Sequence, residues 1–139
     1  MQLNKLYDIA EKENIKIHNY YIENCNGFFL QYKNINSIAL NYKEICSSSK
    51  EKSILAEELG HYYCDATYSP LCKDKQLISK QEYRAKKWAF KLLINPQMLN
   101  DMFTNKSMTK YEMMEELEVS EEIFEMACNY YKNNGLLSA

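Results

Sequence analysis

Three glycines and two prolines are all that punctuate a chain of 139 residues. Tight turns and left-handed backbone draw on those two residue types, so their scarcity points to helices rather than to many short strands. Apolar residues make up 46% of the chain and charged residues 26%, with a formal net charge of −2. That is enough apolar material for one sizeable core, and too little net charge to keep the chain unfolded. One domain over 1–139 is expected at this length, with a core over 1–96 and a helical part over 97–139. No stretch reaches the ~18 uninterrupted apolar residues of a membrane span. Met1 to Asn14 is mixed polar and lacks the apolar stretch of an export signal. Five widely spaced cysteines, an odd number, do not read as a disulfide framework, so reduced thiols in the cytoplasm are the expectation. The near-neutral charge argues against a nucleic-acid surface covering the domain.

Periodicity places the elements. Leu3, Leu6, Tyr7 and Ala10 fall on one helical face, predicting a first helix up to about Asn14. Three strand candidates follow at Ile15–Ile22, Phe28–Tyr32 and Ser37–Tyr42. The polar breaks Asn24–Gly27 and Lys33–Asn36 have hairpin lengths, so a small antiparallel sheet is the economical reading. Ser47-Ser48-Ser49 offers N-caps for a helix to about Ala66, whose apolar residues lie on more than one side, as in a buried helix. Thr67–Ile78 contains Pro70 and no period, and reads as a loop. Ser79 is the expected cap of the next helix, which carries an apolar stripe from Tyr83 to Leu93 and ends near Pro96. A short helix over Met98–Phe103 and a pair over Tyr111–Leu117 and Glu121–Tyr131 complete the chain, the last with Ser120 as cap and Gly135 beyond its end. The fold class is therefore α+β: a helix, a three-stranded antiparallel sheet, a central helix and a helical C-terminal half.

The chemistry concentrates in Ile54–Asp65, ILAEELGHYYCD. Glu57 and His61 are four residues apart and share a helix face. Glu58 sits ~100° round from Glu57. A buried carboxylate without a partner costs several kcal/mol or takes up a proton. A bound cation removes that cost: Glu57 and His61 reach one ion from consecutive turns, and Glu58 reaches a water on it. The HExxH zinc helix uses this geometry, with the middle Glu as general base. Here the first ligand position holds Glu57. Carboxylate oxygen also ligates zinc, but it makes the site more anionic and brings in oxygen-preferring metals such as Mn2+.

Four segments together resemble the ImmA/IrrE family of metallo-endopeptidases of phages, mobile elements and their hosts. Gly27-Phe28-Phe29 through Ser37–Asn41 resembles the family's hairpin and edge strand. Ser53–Tyr62 resembles its zinc helix, with EELGH in place of HELGH as in similar phage-type members. Glu82–Pro96 resembles its "E-x-x-A-x-x-F-A-x-x-L-L-x-P" segment, and Val119–Tyr131 its C-terminal helices. The resemblance implies a zincin-like core in which His61, Glu82 and Glu57, the last in place of a His, are the metal ligands and Glu58 is the general base. It implies Zn2+, with Mn2+ as the alternative, and a protein substrate: a repressor-type transcription regulator of a mobile element, held in extended form along the strand Ser37–Tyr42.

Plainer readings stand beside these. His61 can be a core histidine with satisfied nitrogens. Glu57 and Glu58 can belong to a solvated helix face with Glu51 and Lys52. Ser79-x-x-Glu82 is a capping box, which would compete with metal for the Glu82 carboxylate. Cys64 and Asp65 are alternative ligands if the helix runs that far. His18 reads as structural or exposed, and Tyr62 and Tyr63 are both candidate oxyanion donors. The acidic start of the last helix, Glu121-Glu122, speaks against direct nucleic-acid binding. Two functions remain: a metal-dependent endopeptidase, or an inactive protein of the same fold that works as an anti-repressor or scaffold.

Overall fold

The amphipathic face of Leu6 and Ala10 folds as α1 (Leu3–Lys12) in the computed structural model, which describes residues 1–69, 71–105 and 107–138. Asn14, in the left-handed region at φ 57°, turns the chain into β1 (Lys16–Asn19). β2 (Gly27–Tyr32) and β3 (Ile35–Leu40) form an antiparallel hairpin in which Tyr32 pairs with Ile35. Lys33 and Asn34 close it with φ of 50° and 64°. Two successive positive φ values give the type I′ turn, whose twist matches that of the strands. β3 thus runs from Ile35 to Leu40 rather than from Ser37 to Tyr42.

The sheet is mixed, which corrects the expected antiparallel one. β1 pairs with β3 in parallel, Lys16 beside Ser37 and Asn19 beside Leu40, and the strand order is β1-β3-β2. The cause lies between β1 and β2. Ile22 bridges Cys25, with Asn24 at φ 61°, so the break at Asn24–Gly27 closes on itself instead of joining two paired strands. Asn41, only 2% exposed just past β3, donates its side-chain amide to the carbonyls of Ile22 and Cys25 at 2.8 and 2.9 Å. Pinned there, the chain delivers β1 and β2 to opposite sides of β3. β3 is consequently the central strand, and the edges belong to β1 and β2. The expected edge role of Ser37–Tyr42 is corrected accordingly.

Ser47 caps α2 (Ser48–Tyr63), its hydroxyl accepting from the Lys50 N–H at 3.1 Å. α3 (Lys75–Leu93) starts earlier than expected. Asp74 caps it through Oδ1, which accepts from the Gln76 and Leu77 N–H groups at 3.1 and 3.2 Å. Ser79 is therefore inside a helix, and the expected capping box with Glu82 does not exist. Pro70 of the expected loop lies outside the described residues. α2 and α3 meet at Gly60, where a Cβ would stand 2.3 Å from the Ala85 carbonyl oxygen. Only glycine allows backbones that close.

α4 (Pro96–Thr104) has proline in its first turn and Asn95 as cap, so Pro96 starts a helix. α5 (Lys110–Leu117) and α6 (Glu121–Asn133) follow, the latter capped by Ser120 as expected. Their corner is fixed to α2: buried Lys52 donates Nζ to the Leu117 carbonyl at 2.9 Å, and the Ser120 N–H donates to Ser53 Oγ at 2.9 Å. One core joins Leu6, Ile38, Leu40, Leu55, Leu59, Phe90, Leu99, Ile123 and Tyr131. Each large side chain fully buried there contributes roughly 1.5–3 kcal/mol. Among the described residues, no helix is long and apolar enough to cross a membrane.

Candidate metal centre

α2 carries Glu57 and His61 on consecutive turns of the face turned to α3, and α3 brings Glu82 to meet them. One ligand atom from each of Glu57, His61 and Glu82 lies within 4.8 Å of the others. Ligands at ~2.0–2.2 Å from a shared tetrahedral ion stand roughly 3.4 Å apart. Small side-chain rotations therefore close the present spacing. His61 Nε2 is already 3.3 Å from Glu82 Oε2. His61 Nδ1 faces the Ala66 carbonyl oxygen at 2.7 Å. A carbonyl accepts only from N–H, so Nδ1 carries a proton and Nε2 is the nitrogen that faces the carboxylates, donating to Glu82 when protonated and able to ligate an ion once it gives that proton up. The donor set of one imidazole and two carboxylates suits a divalent ion of zinc or manganese type.

Glu58 is 6% exposed and follows Glu57 on the same helix. Burial pushes its carboxyl up to about 8, with the charges of Glu57 and Glu82 adding and those of His61 and Lys86 opposing. Burial also raises Glu57, against the pull of Lys86. Burial works the other way on His61. The bond to Glu82, the Ala66 carbonyl and the nearby carboxylates outweigh it, so His61 is raised to about 9. Glu82 is depressed, first by its bond to His61 and further by the Tyr68 hydroxyl. Three carboxylates and an imidazole thus shift one another's proton affinities, Glu58 and His61 buried and Glu57 and Glu82 half-buried. Lys86, one turn beyond Glu82 and 2.8 Å from Glu122 of α6, borders the cluster with a second positive charge.

Of Glu57, Glu58, His61 and Glu82, which the sequence singled out, the structure brings ligand atoms of Glu57, His61 and Glu82 within 4.8 Å of one another and buries Glu58 beside Glu57 on α2. Cys64 and Asp65 stay outside. α2 ends at Tyr63, the Cys64 thiol points to the Arg84 carbonyl at 3.8 Å, and exposed Asp65 takes φ 49°. His18 is exposed on β1. Tyr62 and Tyr63 both donate to the Glu13 carboxylate, at 2.9 and 3.1 Å, away from the cluster. The tyrosine at the site is Tyr68, whose hydroxyl donates to Glu82 Oε1. Nothing in spacing or periodicity marked it, because it stands in an aperiodic loop.

No curated protein and no solved structure matches the chain significantly. A family model described as the IrrE N-terminal-like domain, Peptidase M78, matches residues 10–129, a span that holds the sheet, both site helices and most of α6. The chain therefore belongs to the IrrE N-terminal-like family and has a fold of metallopeptidase type.

Proposed function

We propose that the protein is a metal-dependent endopeptidase, with Glu57, His61 and Glu82 as ligands and Glu58 as general base. The observation that supports this is that one ligand atom from each of three side chains on two helices lies within 4.8 Å of the others, with His61 Nε2 facing Glu82 and Nδ1 held by the Ala66 carbonyl. Glu57, His61 and Glu82 would hold a zinc ion, or manganese given two carboxylate ligands, and the chemistry such an ion would supply there is Lewis acidity towards a carbonyl and a water. Glu58, buried next to Glu57 on α2, would act as its ionised carboxylate, taking a proton from the attacking water and passing it to the leaving amine. The substrate lies extended along β2, the edge strand packed beside α2 through Ile54, adding a strand to the sheet. Its identity follows from the family resemblance: a repressor-type regulator of a phage or other mobile element, met in the cytoplasm.

The second reading, an inactive anti-repressor or scaffold, draws on Glu57 itself. A second carboxylate ligand weakens the acidification of bound water. The test compares wild type with Glu58→Gln, both purified without chelator, on candidate repressors. Cleavage by wild type and a rate about 10²–10⁴-fold lower in Glu58→Gln support the enzyme. Equal behaviour of the two, with no metal in either, leaves the scaffold.

A further inference from the structure

α2 stops in a turn that serves the cluster. The Asp65 N–H donates to the Tyr62 carbonyl at 3.2 Å and the Ala66 N–H to the His61 carbonyl at 3.0 Å, with Asp65 left-handed between them. This is the Schellman end of a helix, and it folds the chain back over the last turn. Arg84 of α3 fastens it by donating Nη2 to the Cys64 carbonyl at 2.6 Å. Two groups are thereby aimed at two of the three ligands. The fully buried Ala66 offers its carbonyl to His61 Nδ1, and half-buried Tyr68 offers its hydroxyl to Glu82 Oε1. Glu82 is thus divided. Oε1 is engaged by the phenol, and Oε2 alone faces His61.

We propose that Tyr68 is a positioning residue of the metal centre: its hydroxyl occupies Glu82 Oε1, so that the carboxylate presents a single oxygen to the ion. This rests on the metal-centre reading above. Ala66 does the same for His61 through its carbonyl, so the segment from Asp65 to Tyr68 sets the ligand geometry on both helices. Outer partners of ligands of this kind are worth about 10–100-fold in metal affinity.

The test is Tyr68→Phe, which keeps the ring and removes the donor. Co2+ serves as the probe, its affinity and visible absorption read by titration of the full chain, with Zn2+ affinity obtained by competition. Tyr62→Phe is the control, because it removes a hydroxyl bound to Glu13 instead. The expected result is a loss of about 10–100-fold in affinity for Tyr68→Phe. Its Co2+ absorption weakens, while the metal-free variant stays folded with a melting temperature lower by a few degrees at most, roughly the loss of one hydrogen bond. Tyr62→Phe binds as wild type does. If wild type binds Co2+ and Tyr68→Phe binds it equally, with the same spectrum, the positioning role is overturned and the metal centre stands. Equal losses in both variants overturn it as well. If wild type binds neither ion at millimolar concentration, the metal-centre reading itself falls.

Discussion

Replacing Gly60 with alanine sets two effects of opposite sign against each other. Helix propensity favours alanine in the interior of α2 by about 1 kcal/mol. Against this, the new Cβ would stand 2.3 Å from the Ala85 carbonyl oxygen and 3.0 Å from the Ala85 carbonyl carbon and Cα. All three are backbone atoms of α3, so no side-chain rotation relieves the contact. An ordinary separation requires α2 and α3 to part by about 1 Å, and overpacking of this kind costs typically 1–3 kcal/mol, here towards the upper end. The net expectation is a loss of about 2 kcal/mol, which for a chain of this length lowers Tm by roughly 5–8 °C. The same displacement carries His61 away from Glu82, so metal affinity falls with stability. Urea and thermal unfolding, followed by metal titration of the folded variant, measure both. A Gly60→Ala protein as stable as wild type or more so would show that propensity, not the α2–α3 approach, governs this position.

Three further outcomes follow from the same structure. Asp74→Ala removes the cap of α3 and is expected to cost about 1 kcal/mol, while Ser79→Ala changes stability by only a few tenths in urea titration; the reverse order would restore the capping box. The metal-free protein should lose stability as pH rises from about 4.5 to 9, because Glu58, raised from 4.5 to about 8, and His61, raised from 6.5 to about 9, hold protons in the folded state that the unfolded chain releases earlier. Glu58→Gln flattens part of that slope, by a few kcal/mol at most, in unfolding curves taken across this range, whereas an unchanged slope contradicts the assignment. Glu57→His, which writes HELGH into α2, is expected to raise Zn2+ affinity relative to Mn2+ in competition titrations, since nitrogen replaces one of two carboxylate ligands. A shift towards Mn2+ would remove Glu57 from the ligand set.

Local signals in the sequence carried as far as local physics does. Ser47 and Ser120 announced their helices because a cap and the turn it satisfies are neighbours in the chain. Glu57 and His61 were legible as a pair because four residues is one helical turn. Glu82 came from resemblance alone, since no spacing rule links it to a helix that ends at Tyr63. The sheet was misread where the deciding contact is distant. Asn41 binds the carbonyls of Ile22 and Cys25, where the chain crosses from β1 to β2, and β1 lies parallel to a central β3. Asp74 was passed over because Pro70 made its surroundings read as loop, and Ser79 offered a capping pattern of its own. Tyr68 was invisible for the same reason as Asn41: its partner, Glu82, is set by how two helices cross.

The central claim is that Glu57, His61 and Glu82 hold one divalent ion. Equilibrium dialysis of the purified chain against Zn2+ and Mn2+, beside His61→Ala and Glu82→Gln, tests it most directly. Binding of about one equivalent by wild type, weakened at least about tenfold in each variant, is the predicted result. Wild type that retains no ion, or variants that bind as wild type does, would contradict it.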